Sequence, residues 1–329
     1  MLAGQAGAKA AIIYNNVPGN LSGTLGAPRP EGPYVATVSL PQDAGVALRD
    51  RINGGATVTG VIDVETTILN AYSNNVLATT THGNLNTTLM LGAHTDSVAA
   101  GPGINDDGSG TIGILEVAKQ LAKYKVNNAV RFGFWTAEEE GLLGSTYYVE
   151  SLSPAELSNI RAYLNFDMIA SPNYILGIYD GDGSEFNLTG PPGSAEIEKF
   201  FQDWFKKEAK LPTVSTEFSG RSDYQAFIDN GIPAGGTDTG ADGIKTEEQV
   251  RLFGGTAGII HDPNYHQAAD NVSNLNTTAF EVNAKAIAAA VGEYATSFKS
   301  LPPKAVVKRS IMKRSENSRR AMKKKLALF

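Results

Sequence analysis

No cysteine occurs anywhere in the 329 residues. Its absence excludes disulfides and thiolate metal sites, so any cation bound here must be held by His, Asp and Glu. Long apolar runs are also missing, and none approaches the roughly 18 residues that a membrane-spanning helix needs. Small residues and glycines follow Met1 at once, without the apolar stretch of a signal peptide. Basic residues are scarce outside one segment. The formal net charge is −6, yet Lys304 to Lys325 carries ten Lys/Arg and one Glu, which leaves 18 basic against 33 acidic residues elsewhere. So acidic a body makes a poor nucleic-acid partner and a reasonable host for divalent cations and substrate amines. With 42% hydrophobic residues, the chain can bury a full-sized core and a smaller lobe.

The pattern divides the chain into three. Residues 1–60 form a small N-terminal lobe: Ala10 to Asn16 is predicted as a buried strand, Val17 to Pro33 as a loop rich in Pro and Gly, and Gln42 to Arg51 as a short helix. From Val61 the elements lengthen. Val61 to Ala71 and Asn75 to Thr81 read as strands, followed by Thr87 to Ala93, Ala129 to Thr136 and Arg161 to Ile169 as buried strands. Amphipathic helices are expected over Thr111 to Tyr124, Gly141 to Glu150, Ser194 to Ala209 with Ser194 as cap, Asp223 to Asp229 and Asn276 to Phe298. Strands alternating with helices imply right-handed crossovers and a mostly parallel sheet covered on both faces, an α/β three-layer sandwich. Residues 301–329 read as a basic, solvated tail.

Chemistry concentrates at the predicted strand ends, where open α/β sheets form ligand sites. His94 ends the Thr87 to Ala93 strand, and Asp96, two residues on, points the same way and is placed to accept the second ring N–H. The glycine-rich loop Gly101 to Gly110 brings Asp106 and Asp107, either of which has the chemistry to bridge two cations. Glu138, Glu139 and Glu140 follow the next strand, where acidic residues would complement a helix N-terminus if they did nothing else. Asp167 ends the strand after that, and His266 sits beside Tyr265 in a later loop. Arg221 and Asp223 fit a surface ion pair as well as a substrate contact.

Taken together, HTDS (94–97), GPGINDDGSG (101–110), WTAEEEGLLGS (135–145), LNFDMIASPN (164–173), GRSDYQAF (220–227) and the Tyr265-His266 loop resemble the co-catalytic di-zinc aminopeptidases, particularly the secreted fungal leucine aminopeptidases and vacuolar aminopeptidase Y. The resemblance covers roughly residues 60–300. It implies a zinc peptidase fold over residues 61–300, preceded by part of a protease-associated, β-rich lobe in residues 1–60. It further implies one zinc on His94 and Asp167, a second on Glu139 and His266, and Asp106 bridging them. Asp96 would then orient His94, Glu138 would be the general acid/base, Tyr265 an oxyanion donor and Arg221 a substrate contact. Substrates would be peptides with a free, leucine-like N-terminal residue, handled by a monomer without nucleic acid or a transmembrane anchor. Other readings are a di-zinc carboxypeptidase or amidohydrolase, and a truncated non-catalytic domain of the same fold. Some relatives flank the metal-binding His with a disulfide, whereas Asn264 and Ala269 stand at those positions here, so packing and hydrogen bonds must hold that loop. Sequons at Asn20, Asn86, Asn187, Asn271 and Asn276 fit a secreted or vacuolar glycoprotein whose signal segment was removed or lies outside this sequence.

Overall fold

A computed structural model describes residues 2–16, 18–19, 21, 34–65 and 71–303. The tail 304–329, most of the loop expected over 17–33 and the sequon at Asn20 lie outside the described residues. The chain divides into two compact units after Tyr72, later than the boundary at 60 expected from sequence.

In the first unit, α1 (Leu2–Gln5), β1 (Ala10–Tyr14), β2 (Ala36–Leu40) and α2 (Gln42–Asn53) form a small lobe in which β1 and β2 pair in parallel. The buried strand expected here is instead half open, with Ile12 44% and Ile13 42% exposed. A two-stranded ribbon with two short helices cannot cover both faces. Residues 61–65 form no strand, and 66–70 lie outside the described residues.

The second unit contains β3 (Val76–Thr79), β4 (Asn84–His94), α3 (Gly108–Leu121), β5 (Asn128–Trp135), α4 (Leu143–Ser151), α5 (Pro154–Asn159), β6 (Ile160–Phe166), β7 (Gly177–Tyr179), α6 (Ser194–Trp204), β8 (Val214–Thr216), α7 (Tyr224–Ile228), β9 (Ala234–Asp238), α8 (Glu247–Phe253) and α9 (Thr277–Thr296). Its seven strands lie in the order β3-β5-β4-β6-β9-β7-β8. The central pairs β5/β4, β4/β6 and β6/β9 are parallel, while β3/β5 and β7/β9 are antiparallel.

Strand alternation builds two cores, because successive side chains leave opposite faces of a sheet. Leu89, Leu91 and Ala93 of β4, with Phe132 and Phe134 of β5 and Leu164 and Phe166 of β6, pack toward α3, α6 and α9. Met90, Trp135 and Tyr163 face the other way, toward Tyr148 of α4 and Phe227 of α7. The mixed α/β sandwich with a mostly parallel sheet matches the fold class expected from sequence. Burial on both faces makes β4, β5 and β6 stiff, and their C-terminal ends present fixed positions to the loops beyond them.

Two local expectations fail for identifiable reasons. The glutamates 138–140 do not begin a helix; they lie in a turn, and α4 starts only at Leu143. Ala137 (φ 53°), Gly141 (φ 99°) and Leu142 (φ 60°) are left-handed, which a helix cannot accommodate. Ser194 is not a cap either. Gly193 takes that place and the Ser194 hydroxyl accepts the Ala234 N–H at 3.0 Å, tying α6 to β9.

Candidate metal centre

His94 ends β4 and is 1% exposed. Its backbone N–H donates to the Asp107 carboxylate at 3.0 Å, and its carbonyl accepts the Thr111 hydroxyl at 2.6 Å, so the ring is anchored from both sides. Nδ1 lies 3.0 Å from the Asp96 backbone carbonyl and 3.6 Å from the Asp96 carboxylate. The expected side-chain acceptor is therefore a backbone one. The Asp96 carboxylate instead accepts the N–H groups of Glu138 at 3.0 Å and Glu139 at 3.1 Å, which fixes the glutamate turn against His94.

Asp106 lies in the loop between β4 and α3, after Gly101, whose missing side chain lets the backbone pass the Gln267 carbonyl; a Cβ there would come within 2.2 Å of it. This close approach brings the glycine loop against the His266 loop. Asp107 is the N-cap of α3, accepting Gly110 N–H at 2.9 Å, and it also accepts Met168 N–H at 3.1 Å. With three backbone donors on Asp107, Asp106 remains the carboxylate free to bridge. Asp167 follows β6 directly, oriented by a hydrogen-bonded chain in which Trp135 donates to Tyr163, Tyr163 to Asn165, Asn165 to Ser222, and Ser222 to Asp167 at 2.6 Å. Sequence reading passed over Ser222 and Asn165, whose role is visible only once β6 and the loop before α7 are adjacent.

These residues converge. From His94 Nε2 the distances are 3.2 Å to Asp106 Oδ1, 3.6 Å to Asp167 Oδ1 and 4.0 Å to Glu138 Oε2. From His266 Nε2, Asp106 Oδ2 and Glu139 Oε2 are each 3.1 Å away. One carboxylate thus spans two imidazoles with one oxygen for each. His94, Glu138 and Asp167 form one group with ligand atoms within 4.8 Å of one another, and Asp106, Glu139 and His266 form a second.

The donor set fits cations. His266 Nε2 and Glu139 Oε1 are buried without a hydrogen-bond partner, although carboxylate oxygens lie only 3.1 Å from that nitrogen. The contact has the distance of a hydrogen bond without its direction, so these atoms face a common space rather than one another. Burial would lower the affinity of His94 for a proton, but the Asp167 charge and hydrogen bonds to the carboxylates outweigh it and raise the pKa well above the ordinary value. Burial and then the Asp167 charge push Glu138 upward. Protons thus compensate a cluster whose carboxylates would otherwise repel, the role a pair of dications fills more fully.

Beyond the centre opens a cavity of about 350 Å³ lined by Met168, Ile175, Tyr179 and Phe186, with Asp238, Arg221 and Tyr265 at its polar parts. Arg221 does form an ion pair, donating to both carboxylate oxygens of Asp242 at 2.9 and 3.2 Å, but it also donates to the Tyr265 hydroxyl at 3.3 Å. Tyr265 stacks on His266 with ring centroids 3.8 Å apart. A third acidic group, Asp180, Asp182 and Glu198, differs from the centre: backbone N–H groups of residues 181–186 already occupy Asp180 and Glu198.

Fold and site together define an α/β protein organised around a two-part His and carboxylate centre at the C-terminal rim of its sheet. The profile of peptidase family M28 matches residues 75–291, and that of the PA domain matches residues 1–48. The chain belongs to peptidase family M28. It is 57% identical over 314 residues to the probable leucine aminopeptidase 2 of Aspergillus fumigatus, covering 94% of this chain and 62% of that protein. Among solved structures, an aminopeptidase from Aneurinibacillus sp. strain AM-1 is similar with a TM-score of 0.72 at 28% identity, over 93% of this chain and 67% of that one. A zinc aminopeptidase from Bacillus subtilis is similar with a TM-score of 0.63 at 25% identity, over 93% and 67%. The chain spans about three fifths of the length of the curated relatives it matches.

Proposed function

We propose that this chain carries the catalytic centre of a zinc aminopeptidase that removes apolar N-terminal residues from peptides. The observation that carries the reading is Asp106, whose two oxygens lie 3.2 and 3.1 Å from the ring nitrogens of His94 and His266. His94 and Asp167 would hold one zinc, Glu139 and His266 the other, with Asp106 shared. Bound there, the pair lowers the pKa of a water and polarises the substrate carbonyl.

The remaining steps belong to side chains. Glu138, 7% exposed and 4.0 Å from His94 Nε2, takes a proton from the attacking water as the new C–O bond forms and delivers it to the amine as the C–N bond breaks. The Tyr265 hydroxyl donates to the oxygen on which negative charge develops, and Arg221 holds that hydroxyl in place. The Asp96 carboxylate keeps Glu138 and Glu139 in register by holding their backbone N–H groups. Met168, Ile175, Tyr179 and Phe186 give the adjacent cavity an apolar wall suited to a leucine-like side chain. A secreted or vacuolar location is consistent with sequons at Asn86, Asn187 and Asn271, all exposed.

Metal analysis with a cleavage assay tests this reading. Two zincs per chain and hydrolysis of leucine anilide, abolished by N-acetylation of the substrate, are expected. Cleavage from the carboxyl end alone would replace it with a carboxypeptidase, and a folded chain that takes up no zinc would end it.

A further inference from the structure

The loop that carries His266 and Tyr265 has no disulfide to hold it, and its two ends are instead fastened by buried carboxylates. Asp262 is 0% exposed and Asp270 is 1% exposed. Oδ1 of Asp270 accepts the Asn105 backbone N–H at 2.9 Å, and Oδ2 accepts the Asp106 N–H at 3.1 Å. The Asp270 carbonyl accepts the Ile104 N–H at 3.1 Å. Asn274 donates to Asp270 and to both oxygens of Asp262, each at 3.0 Å. The Asn105 side chain closes the circuit, donating to Asp262 at 2.7 Å and accepting the Ala170 N–H at 3.1 Å, three residues beyond Asp167.

Two ligand-bearing segments therefore meet at the Asp270 carboxylate, and the segment after Asp167 joins them through the Asn105 side chain. Asp270 grips the backbone of Asp106 itself, and it lies only four residues after His266 in the chain. We infer that Asp270 is a positioning residue that sets the bridging Asp106 relative to both imidazoles and so governs the affinity of both cation positions together. This inference rests on the two-cation reading above. It assigns Asp270 no contact with substrate or metal.

Asp270→Asn tests the idea, because the amide keeps the shape but turns an N–H donor toward one of the two backbone N–H groups it must satisfy. Removing outer-shell partners of metal ligands costs about 10- to 100-fold in affinity. Zinc would be titrated into metal-free wild type, Asp270→Asn and His266→Ala against a chromophoric chelator, with the melting of each metal-free protein followed alongside. The expected result is a fall of about 10- to 100-fold at both positions in Asp270→Asn, with metal-free melting close to wild type, whereas His266→Ala loses chiefly one position. Wild-type affinity at both positions in a folded Asp270→Asn overturns the inference and leaves the centre's assignment standing. Wild type without zinc overturns the assignment and the inference together. Should Asp270→Asn not fold without metal, Asn274→Ala removes one donor to Asp270 together with those to Asp262; a smaller fall at both positions supports the inference, and none overturns it.

Discussion

The two imidazoles of the centre are held in opposite ways. His94 grows out of a strand buried on both faces, 1% exposed, with backbone bonds to Asp107 and Thr111 on either side. His266 sits on a loop with a side chain 35% exposed, a left-handed φ of 58° and a tyrosine stacked on its ring. Apolar packing fixes one half, and a polar network fixes the other. Damage to the core should therefore disable the first half by unfolding it, whereas damage to the network should loosen the second within a folded chain.

If Glu138 moves the proton as proposed, its removal should have the largest effect. Glu138→Gln keeps the size of the side chain and discards the proton acceptor, so kcat should fall by about 10²- to 10⁴-fold. Zinc content should stay at the wild-type value, since Glu138 is not assigned as a ligand. A variant that loses zinc in step with activity would instead make Glu138 part of the metal shell.

On the strand side, Leu91→Ala sharpens the contrast. Leu91 is 0% exposed in the middle of β4, three residues before His94. Truncating a buried leucine costs about 2–5 kcal/mol. At about 2–4 °C per kcal/mol for a domain of this size, the melting temperature should drop by roughly 4–20 °C. The fraction still folded should bind zinc normally, since nothing in the loop network has changed. Weaker zinc binding with unchanged melting would reverse the roles given to packing and network.

The same division decides what was legible beforehand. His94 and Asp167 can be placed because the apolar-rich runs in Thr87 to Ala93 and Arg161 to Ile169 mark strands covered on both faces, and strand ends are fixed points. Strands β7 and β8 leave no sequence signal, being only three residues long, and neither does β9, whose AGGTD lacks the β-branched run of a central strand. The glutamate turn reads as a helix start in the sequence because nothing short of the backbone reveals left-handed conformation at Ala137 and Leu142. Asp262, Asp270, Asn105 and Asn274 are invisible in the sequence for a different reason: their partners are backbone and side-chain groups up to 165 positions away, and no local spacing encodes that. Only Asp107 carried a usable signal, an acidic residue three before the Gly110 N–H it caps.

A smaller effect separates the halves by pH. In the metal-free protein, burial lowers the affinity of His266 for a proton, but the adjacent carboxylates of Asp106 and Glu139 prevail and raise its pKa to about 9. A group whose pKa is raised on folding contributes stability that is complete below its unfolded value of about 6.5 and is lost as pH climbs through the folded one. Chelator-treated protein should therefore melt progressively lower from about pH 6.5 to 9, and zinc affinity should rise over the same window as protons cease to compete. His94 and Glu138, both raised, act in the same sense. His266→Ala should flatten part of the slope and leave the contribution of His94; an unchanged slope would remove His266 from this account.

The smallest effect is expected at Arg221, an exposed residue on the loop side. Its bond to Asp242 joins side chains 57% and 52% exposed, and exposed pairs contribute about 0.2–1 kcal/mol, so Arg221→Ala should barely move the melting temperature. Its other bond, at 3.3 Å to the Tyr265 hydroxyl, is long and lies at the mouth of the cavity. If that bond aims the hydroxyl at the developing oxyanion, Arg221→Ala should lower kcat while leaving zinc content and melting untouched, and in a Tyr265→Phe background the substitution should add little, because two residues that act through one hydroxyl are not additive. Full additivity of the two changes would mean that Arg221 meets the substrate by itself, and the loop half of the centre would then contribute recognition as well as a metal ligand.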